Sequence, residues 1–335
     1  MIRPITIFSG QWADMPFEKF CEKVKSFGYD GIEIACLGDH LELKKAATDL
    51  KYAEERKNIL KNHGLKVLAI GTHLIGQCIG DIGDPRLGSI APSNIAGKPE
   101  DVRKWAIQEM KYAAAAAKNL GVKTVTGFMG NPIWAYWHSL PRTPAIDQIT
   151  EKMITEAYAN ILKHWVPIFD EFDKNGVKFA IEVNSAGMAF DYYSAERLIK
   201  EFKSRKTIGF NFNASNLIWQ GITPHLFIRD FHRLILHVRI KDAAVTLDGK
   251  AGILGSFLSP GDVKRGWNFR SPGHGDVDFE SIIRELNAIN YKGPLSVDWD
   301  DSDMNRELGV KDAYEFVKNI NFSSSDVADD AAKSE

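Results

Sequence analysis

Four short β-like runs in the second half of the chain carry an unusual load of charged or amide side chains: VKFAIEV from Val177, TIGFNFN from Thr207, LILHVRI from Leu234 and PLSVDWD from Pro294. Side chains alternate along a strand, so every second residue shares a face. In the first run Phe179, Ile181 and Val183 share one face and Ala180 and Glu182 the other. In the second, Ile208, Phe210 and Phe212 oppose Gly209, Asn211 and Asn213. In the third, Val238 and Ile240 oppose His237, Arg239 and Lys241, and in the fourth Val297 and Trp299 oppose Ser296, Asp298 and Asp300. Glu33, between Ile32 and Ile34 in GIEIA, points the same way, and His73 closes KVLAIGT on the face of Ala69 and Gly71. Burying such groups without partners costs on the order of several kcal/mol each. They must therefore pair with one another, bind an ion, or bind a polar ligand. His63 and His164 fall on helical stretches and read as helix-end or surface residues.

The elements that position these residues repeat along the whole chain. Eight strand candidates begin at Ile5, Gly31, Lys66, Val122, Val177, Thr207, Leu234 and Pro294. Between them run helix-period segments such as MPFEKFCEKVKSFG, PEDVRKWAIQEMKYAAAAAKNLG and the stretch from Asp147 to Asn175. Gly28, Gly64, Gly121 and Gly176 stand where left-handed helix stops are expected. Eight β-then-α units predict a single-domain α/β protein whose parallel strands close into a (β/α)8 barrel, with the apolar strand faces toward the helices and the polar faces inside. Long βα loops follow strands 3, 4 and 7: one from Gly76 to Pro99, an aromatic-rich one from Asn131, and one from about Asp242 to Asp276. All three should crown the C-terminal face of the barrel, where such folds carry their active sites. Trp134, Tyr136 and Trp137 in the second are expected to form a sugar-stacking lid or a subunit contact. The domain is expected to span residues 1–321, with 322–335 as a disordered polar tail.

Composition narrows the function. Of 335 residues, 42 are basic and 44 acidic, so no positive surplus draws in nucleic acid. No apolar run reaches the ~18 residues of a membrane span. Three cysteines without C-x-x-C spacing argue against a disulfide framework. The N-terminus MIRPITIFSG lacks an apolar leader, so a cytoplasmic protein is expected. No G-x-G-x-x-G follows a strand, no Walker A occurs and no G-x-S-x-G elbow is present, so no nucleotide cofactor and no serine nucleophile are expected.

Longer stretches carry a resemblance. FAIEVNSAGMAFDYYSAE from Phe179, GFNFNASNLIWQG from Gly209, LHVRIKDAAVTLDGKAGILGS from Leu236, WNFRSPGHGDVDF from Trp267 and GPLSVDWDDSDM from Gly293 resemble the xylose-isomerase-like TIM-barrel superfamily of sugar (phosphate) isomerases and epimerases, which also contains endonuclease IV-type repair enzymes. The likeness covers about residues 1–320. It implies proton abstraction next to a sugar carbonyl, with a divalent cation (Mn, Mg or Zn) stabilising the enediolate. The implied cation ligands fall on Glu182, Asn213, Arg239 and Asp298, where relatives carry Glu, Asp, His and Glu. Only Glu182 matches. His237, Lys241, Asp242, His274 and Trp219 also match, whereas Asn184, Gly187 and Asn216 replace usual His or Glu positions. A guanidinium cannot be deprotonated to become a ligand and would repel a second cation. Arg239 is therefore expected to stand where the metal would be and to pair Glu182 with Asp298.

These residues give two expectations. In one, the protein is a sugar, polyol or keto-sugar isomerase or epimerase with a metal-free site, Glu182 or Asp298 being the base. In the other it is a catalytically lapsed sugar-binding homologue. In either, His73, Asn184, Asn216, His237, Arg239, Lys241, His274 and Trp134 are expected to contact the ligand. The expected partner is a small sugar or polyol, with a possible homo-oligomer and neither nucleic acid nor membrane.

Overall fold

A computed structural model describes residues 3–137 and 142–324. In chain order the strands are β1 (Ile5–Phe8), β2 (Gly31–Ala35), β3 (Lys66–Gly71), β4 (Thr124–Gly127), β5 (Lys178–Glu182), β6 (Ile208–Asn213), β7 (Ile235–Ile240), β8 (Asp242–Val245), β9 (Trp267–Arg270) and β10 (Leu295–Val297). The principal helices are α1 (Phe17–Ser26), α2 (Leu43–Thr48), α3 (Leu50–Asn62), α4 (His73–Gly80), α5 (Pro99–Leu120), α6 (Trp134–Trp137), α7 (Asp147–Asn175), α8 (Tyr192–Glu201), α9 (Ser215–Ile218), α10 (Pro224–Asp230), α11 (Phe279–Ala288) and α12 (Arg306–Ile320). Strands β1–β7 and β10 close into a parallel barrel in the order β1-β10-β7-β6-β5-β4-β3-β2. All eight strands expected from alternation are present, and α7 has the limits expected of it. Residues 325–335, most of the expected tail, lie outside the described residues.

Two apolar surfaces hold the layers together. Helix α1 buries Phe17, Phe20, Cys21 and Val24, one stripe at helical spacing. Helix α7 lays Trp165, Phe169 and Phe172 on Phe179 of β5, at ring separations of 5.1, 5.8 and 5.8 Å. Phe227 and Phe231, on and just after α10, cover Phe210 of β6 in the same way, both at 5.1 Å. Helix α7 stops at Gly176, whose φ of 66° is the left-handed turn that glycine adopts without a Cβ penalty.

The long connections hold more structure than their sequences suggest. The segment after β3 opens directly into α4, so the loop begins at Asp81 rather than Gly76. The excursion after β7 contains an antiparallel hairpin, β8 with β9, pairing Asp242 with Arg270 and Val245 with Trp267. Trp267 stacks on Trp219 at 4.5 Å and 4°, tying this excursion to the turn after β6. Asp242 is buried and accepts backbone N–H groups from Ala243, Gly273, Gly275 and Val277 at 2.8–3.1 Å. That carboxylate fastens the excursion to the loop before α11. Among the described residues no helix is long and apolar enough to cross a membrane.

Candidate active site

The polar strand faces meet on the barrel axis. The register sets Asn211 beside Glu182, Arg239 beside both Asn213 and Ser296, and Phe8 beside Glu33. Irregularities in the β2–β3 and β6–β7 ladders fall next to Glu33 and Asn211, where they re-aim side chains.

Arg239 is the centre of the cluster. Its Nη1 donates to Asp298 Oδ2 at 2.7 Å and its Nη2 to Glu33 Oε1 at 2.8 Å. Its Nε lies 3.3 Å from Glu182 Oε2, and the guanidinium rests on the face of Phe8, 4.1 Å from the ring centre. Glu33 also accepts the hydroxyls of Thr126 (2.6 Å) and Ser296 (2.8 Å). Lys241 sits 3.4 Å from both Asp298 and Asp300. Gln11, from the turn after β1, donates its amide to the second oxygen of Asp298.

Glu182 is saturated with donors. Oε2 accepts from Asn211 at 2.7 Å and from the His73 Nε2 at 3.1 Å, and Oε1 from Asn213 at 2.9 Å and Asn216 at 3.2 Å. Burial alone would raise the carboxyls of Glu33 and Glu182, but Arg239 overrides it and holds both down at about 2. Burial likewise opposes ionisation of Asp298, and Lys241 and Arg239 reverse it, so its pKa is lowered. Burial drives His237 down to about 4, which leaves the ring neutral. Its Nδ1 donates to Asn211 Oδ1 at 2.8 Å. Arg239 and Lys241 are both held charged, because their carboxylate partners outweigh burial.

A cavity of about 270 Å³ opens beside this cluster, lined by Phe8, Gln11, Cys36, His73, Phe128 and Arg239 among others. It is at the small end of ligand-pocket sizes. Burial pushes the Cys36 thiol well up, so it offers no thiolate to a ligand.

The structure therefore gathers His73, Glu182, Asn213, Asn216, Arg239, Lys241 and Asp298. His73 reaches the site from the first turn of α4 rather than from the end of β3. Other expected contacts fall elsewhere. His237 is sealed beneath Arg239, 1% exposed. Asn184 turns back onto the Glu182 carbonyl and the Ala186 N–H. Trp134 stands on the rim, 42% exposed, donating to the Ser185 carbonyl. His274 is half exposed and bonds Asp312 of α12 at 2.7 Å, because the turn after β9 aims it outward. Sequence reasoning did not include Gln11, Thr126 and Ser296 in the site. Ser296 already stood on the inward face by alternation, and Thr126 occupies a small polar inward position of β4 that alternation could also have flagged.

The family model described as xylose isomerase-like TIM barrel matches residues 21–320. The chain belongs to that family. Among curated relatives it is 23% identical to the uncharacterized protein YfiH of Bacillus subtilis (strain 168), over 91% of this chain and 95% of that one. Similar solved folds include the 3-keto-D-glucoside 4-epimerase YcjR of E. coli, at TM-score 0.64 and 15% identity, covering 95% of this chain and 99% of that one. The IolI protein, solved with a zinc atom, has TM-score 0.65 and 17% identity over 96% and 100%. A D-psicose 3-epimerase solved with D-fructose has TM-score 0.59 and 16% identity over 95% and 99%.

A metal of the kind seen in IolI does not fit this member of the family. Among the described residues no group of three or more His, Cys, Asp or Glu is arranged to hold an ion. The donor chemistry explains why. Asn213 turns its Nδ2 toward Glu182 and gives its Oδ1 to Ser215, so it presents no oxygen to the axis. The carboxylate oxygens that an ion would need are taken by guanidinium, amide and imidazole N–H groups.

Proposed function

We propose that this chain is a sugar isomerase- or epimerase-type enzyme. It acts on a small keto-sugar, aldose or polyol-derived carbonyl compound, moving a proton next to the carbonyl without a bound metal. One observation carries the reading: the Arg239 guanidinium lies where Glu33, Glu182 and Asp298 converge, and it borders the cavity. Arginine has five N–H donors. Asp298 and Glu33 accept one donor from each terminal nitrogen, and the other donor on each is left to meet a substrate oxygen. A fixed cation of this kind stabilises the oxyanion formed when a carbon acid loses its proton. The sugar epimerases among the structural neighbours support the substrate class.

The test is exchange of carbon-bound hydrogen with D2O, followed by NMR for a panel of aldoses, ketoses, inososes and 3-keto sugars. Exchange that persists after EDTA treatment is the expected result. Exchange that vanishes with EDTA and returns with Mn would refute the metal-free reading. The second reading, a sugar-binding homologue without turnover, is favoured by the complete engagement of Glu182 and Asp298. Ligand binding with no exchange for any sugar would decide for it.

A further inference from the structure

Building on the proposed function, we propose that His73 is the base that moves the substrate proton. Glu182 is its positioning residue, and the chemistry is a one-base shift between neighbouring carbons on one face of the sugar. The two carboxylates that a two-base inversion would need are both engaged. Glu182 accepts from three asparagines and one imidazole, and Asp298 from Arg239, Lys241 and Gln11. His73 differs from them. Its ring is clamped edge-on by Phe8 (5.4 Å, 65°) and Phe128 (4.9 Å, 82°), and its Nε2 lies 3.1 Å from Glu182. An ionised carboxylate only accepts, so Nε2 must carry a proton, and the tautomer with that one proton leaves Nδ1 with a bare lone pair. That Nδ1 has no partner and is itself buried, on a residue that is 7% exposed and lines the cavity, so a substrate must displace its surroundings slightly to reach it. A buried acceptor without a donor is costly unless something comes to it.

The Nδ1 lone pair takes the proton from the hydroxyl-bearing carbon beside the carbonyl. The C–H electron pair becomes the carbon–carbon double bond of an enediolate, and the carbonyl π pair moves onto oxygen, facing the free N–H groups of Arg239. The imidazolium then returns the same proton to the former carbonyl carbon. The hydroxyl proton of the first carbon passes to the other oxygen, and that carbon becomes the new carbonyl. Aldose and ketose have the same atoms, and no outside oxidant or reductant enters. Inversion of one centre would instead require removal from one face and delivery to the other.

The experiment uses the full-length protein labelled with 15N-histidine, together with aldopentoses and aldohexoses deuterated at C2. Long-range proton–nitrogen spectra are expected to show His73 protonated at Nε2 and bare at Nδ1. Part of the C2 deuterium should appear at C1 of the ketose, and His73→Gln should lower kcat at least about 100-fold with KM within about threefold. The glutamine amide can still donate to Glu182, which preserves the packing, and the melting temperature checks it. If the variant does not fold, the tautomer and the label transfer decide on the wild type. A proton on Nδ1, exchange that survives His73→Gln, or inversion at one carbon without a shift overturns the assignment of His73 alone. Absence of exchange by the wild type with every sugar overturns the proposed function, and this assignment with it.

Discussion

Replacing Arg239 with methionine should reverse the way stability depends on pH. Against the opposing effect of burial, Arg239 leads the groups, His73 and His237 among them, that hold Glu33 and Glu182 at about 2 rather than 4.5. At about 1.4 kcal/mol per pH unit, the net effect on folding is on the order of 3 kcal/mol per carboxylate, from all these neighbours together. The two share one partner, so the sum is not additive. Removing one member of a buried pair costs about 3–5 kcal/mol, a large part of the roughly 5–15 kcal/mol that holds a domain folded. In the wild type, carboxyls with depressed pKa contribute stability that is complete above pH 4.5 and lost as the pH falls toward 2. In Arg239→Met burial of Glu33 is opposed only by His237, His73 and neutral donors, so its pKa is expected to rise. The native state then keeps a proton that the unfolded chain gives up, and stability declines as the pH climbs above about 4.5. The gap between the two proteins should widen by about 1.4 kcal/mol per pH unit for each affected carboxyl. Urea unfolding from pH 4.5 to pH 8 measures it, and a variant that unfolds at pH 8 and refolds at pH 5 is the extreme of the expected result. A gap that stays constant across that range would refute the electrostatic account of the cluster.

Restoring the family's ligand types with Arg239→His and Asn213→Asp together should give a protein that binds one Mn per chain by calorimetry, while the wild type binds none. Equal binding by both would mean that Arg239 does not exclude the ion. Gly275→Ala should destabilise the fold by about 1–3 kcal/mol in urea titration, because a Cβ there would lie 2.3 Å from Asp242 Oδ1 and 2.6 Å from the Ala243 carbonyl. No loss would show that Asp242 does not fasten the excursion as described.

Alternation and length made the barrel legible. Every strand with one apolar and one polar face could be assigned from its residues, and the polar faces pointed to the axis where Glu182, Arg239 and Asp298 meet. What escaped was local order inside the βα connections. HLIGQCIG is buried almost all round, its polar pair His73 and Gln77 included, so α4 shows no solvent face, and its two glycines suggest a loop. The four-residue strands β8 and β9 are held by each other and by Asp242 across a long gap, which no short window detects. The same gap misplaced His274: it belongs to a familiar motif, yet only the path of the turn decides whether it faces the mouth or Asp312. Glu33 was visible as an inward residue, but its role as a second anchor of Arg239 requires β2 and β7 to face each other across the barrel.

The positive charge at the heart of this barrel is translated with the chain. That charge needs no loading step: it is in place as soon as the barrel closes. Scarcity or excess of any trace element in the cell leaves it unchanged, and it cannot be swapped for a competing element. Its strength can be altered only by changing a codon.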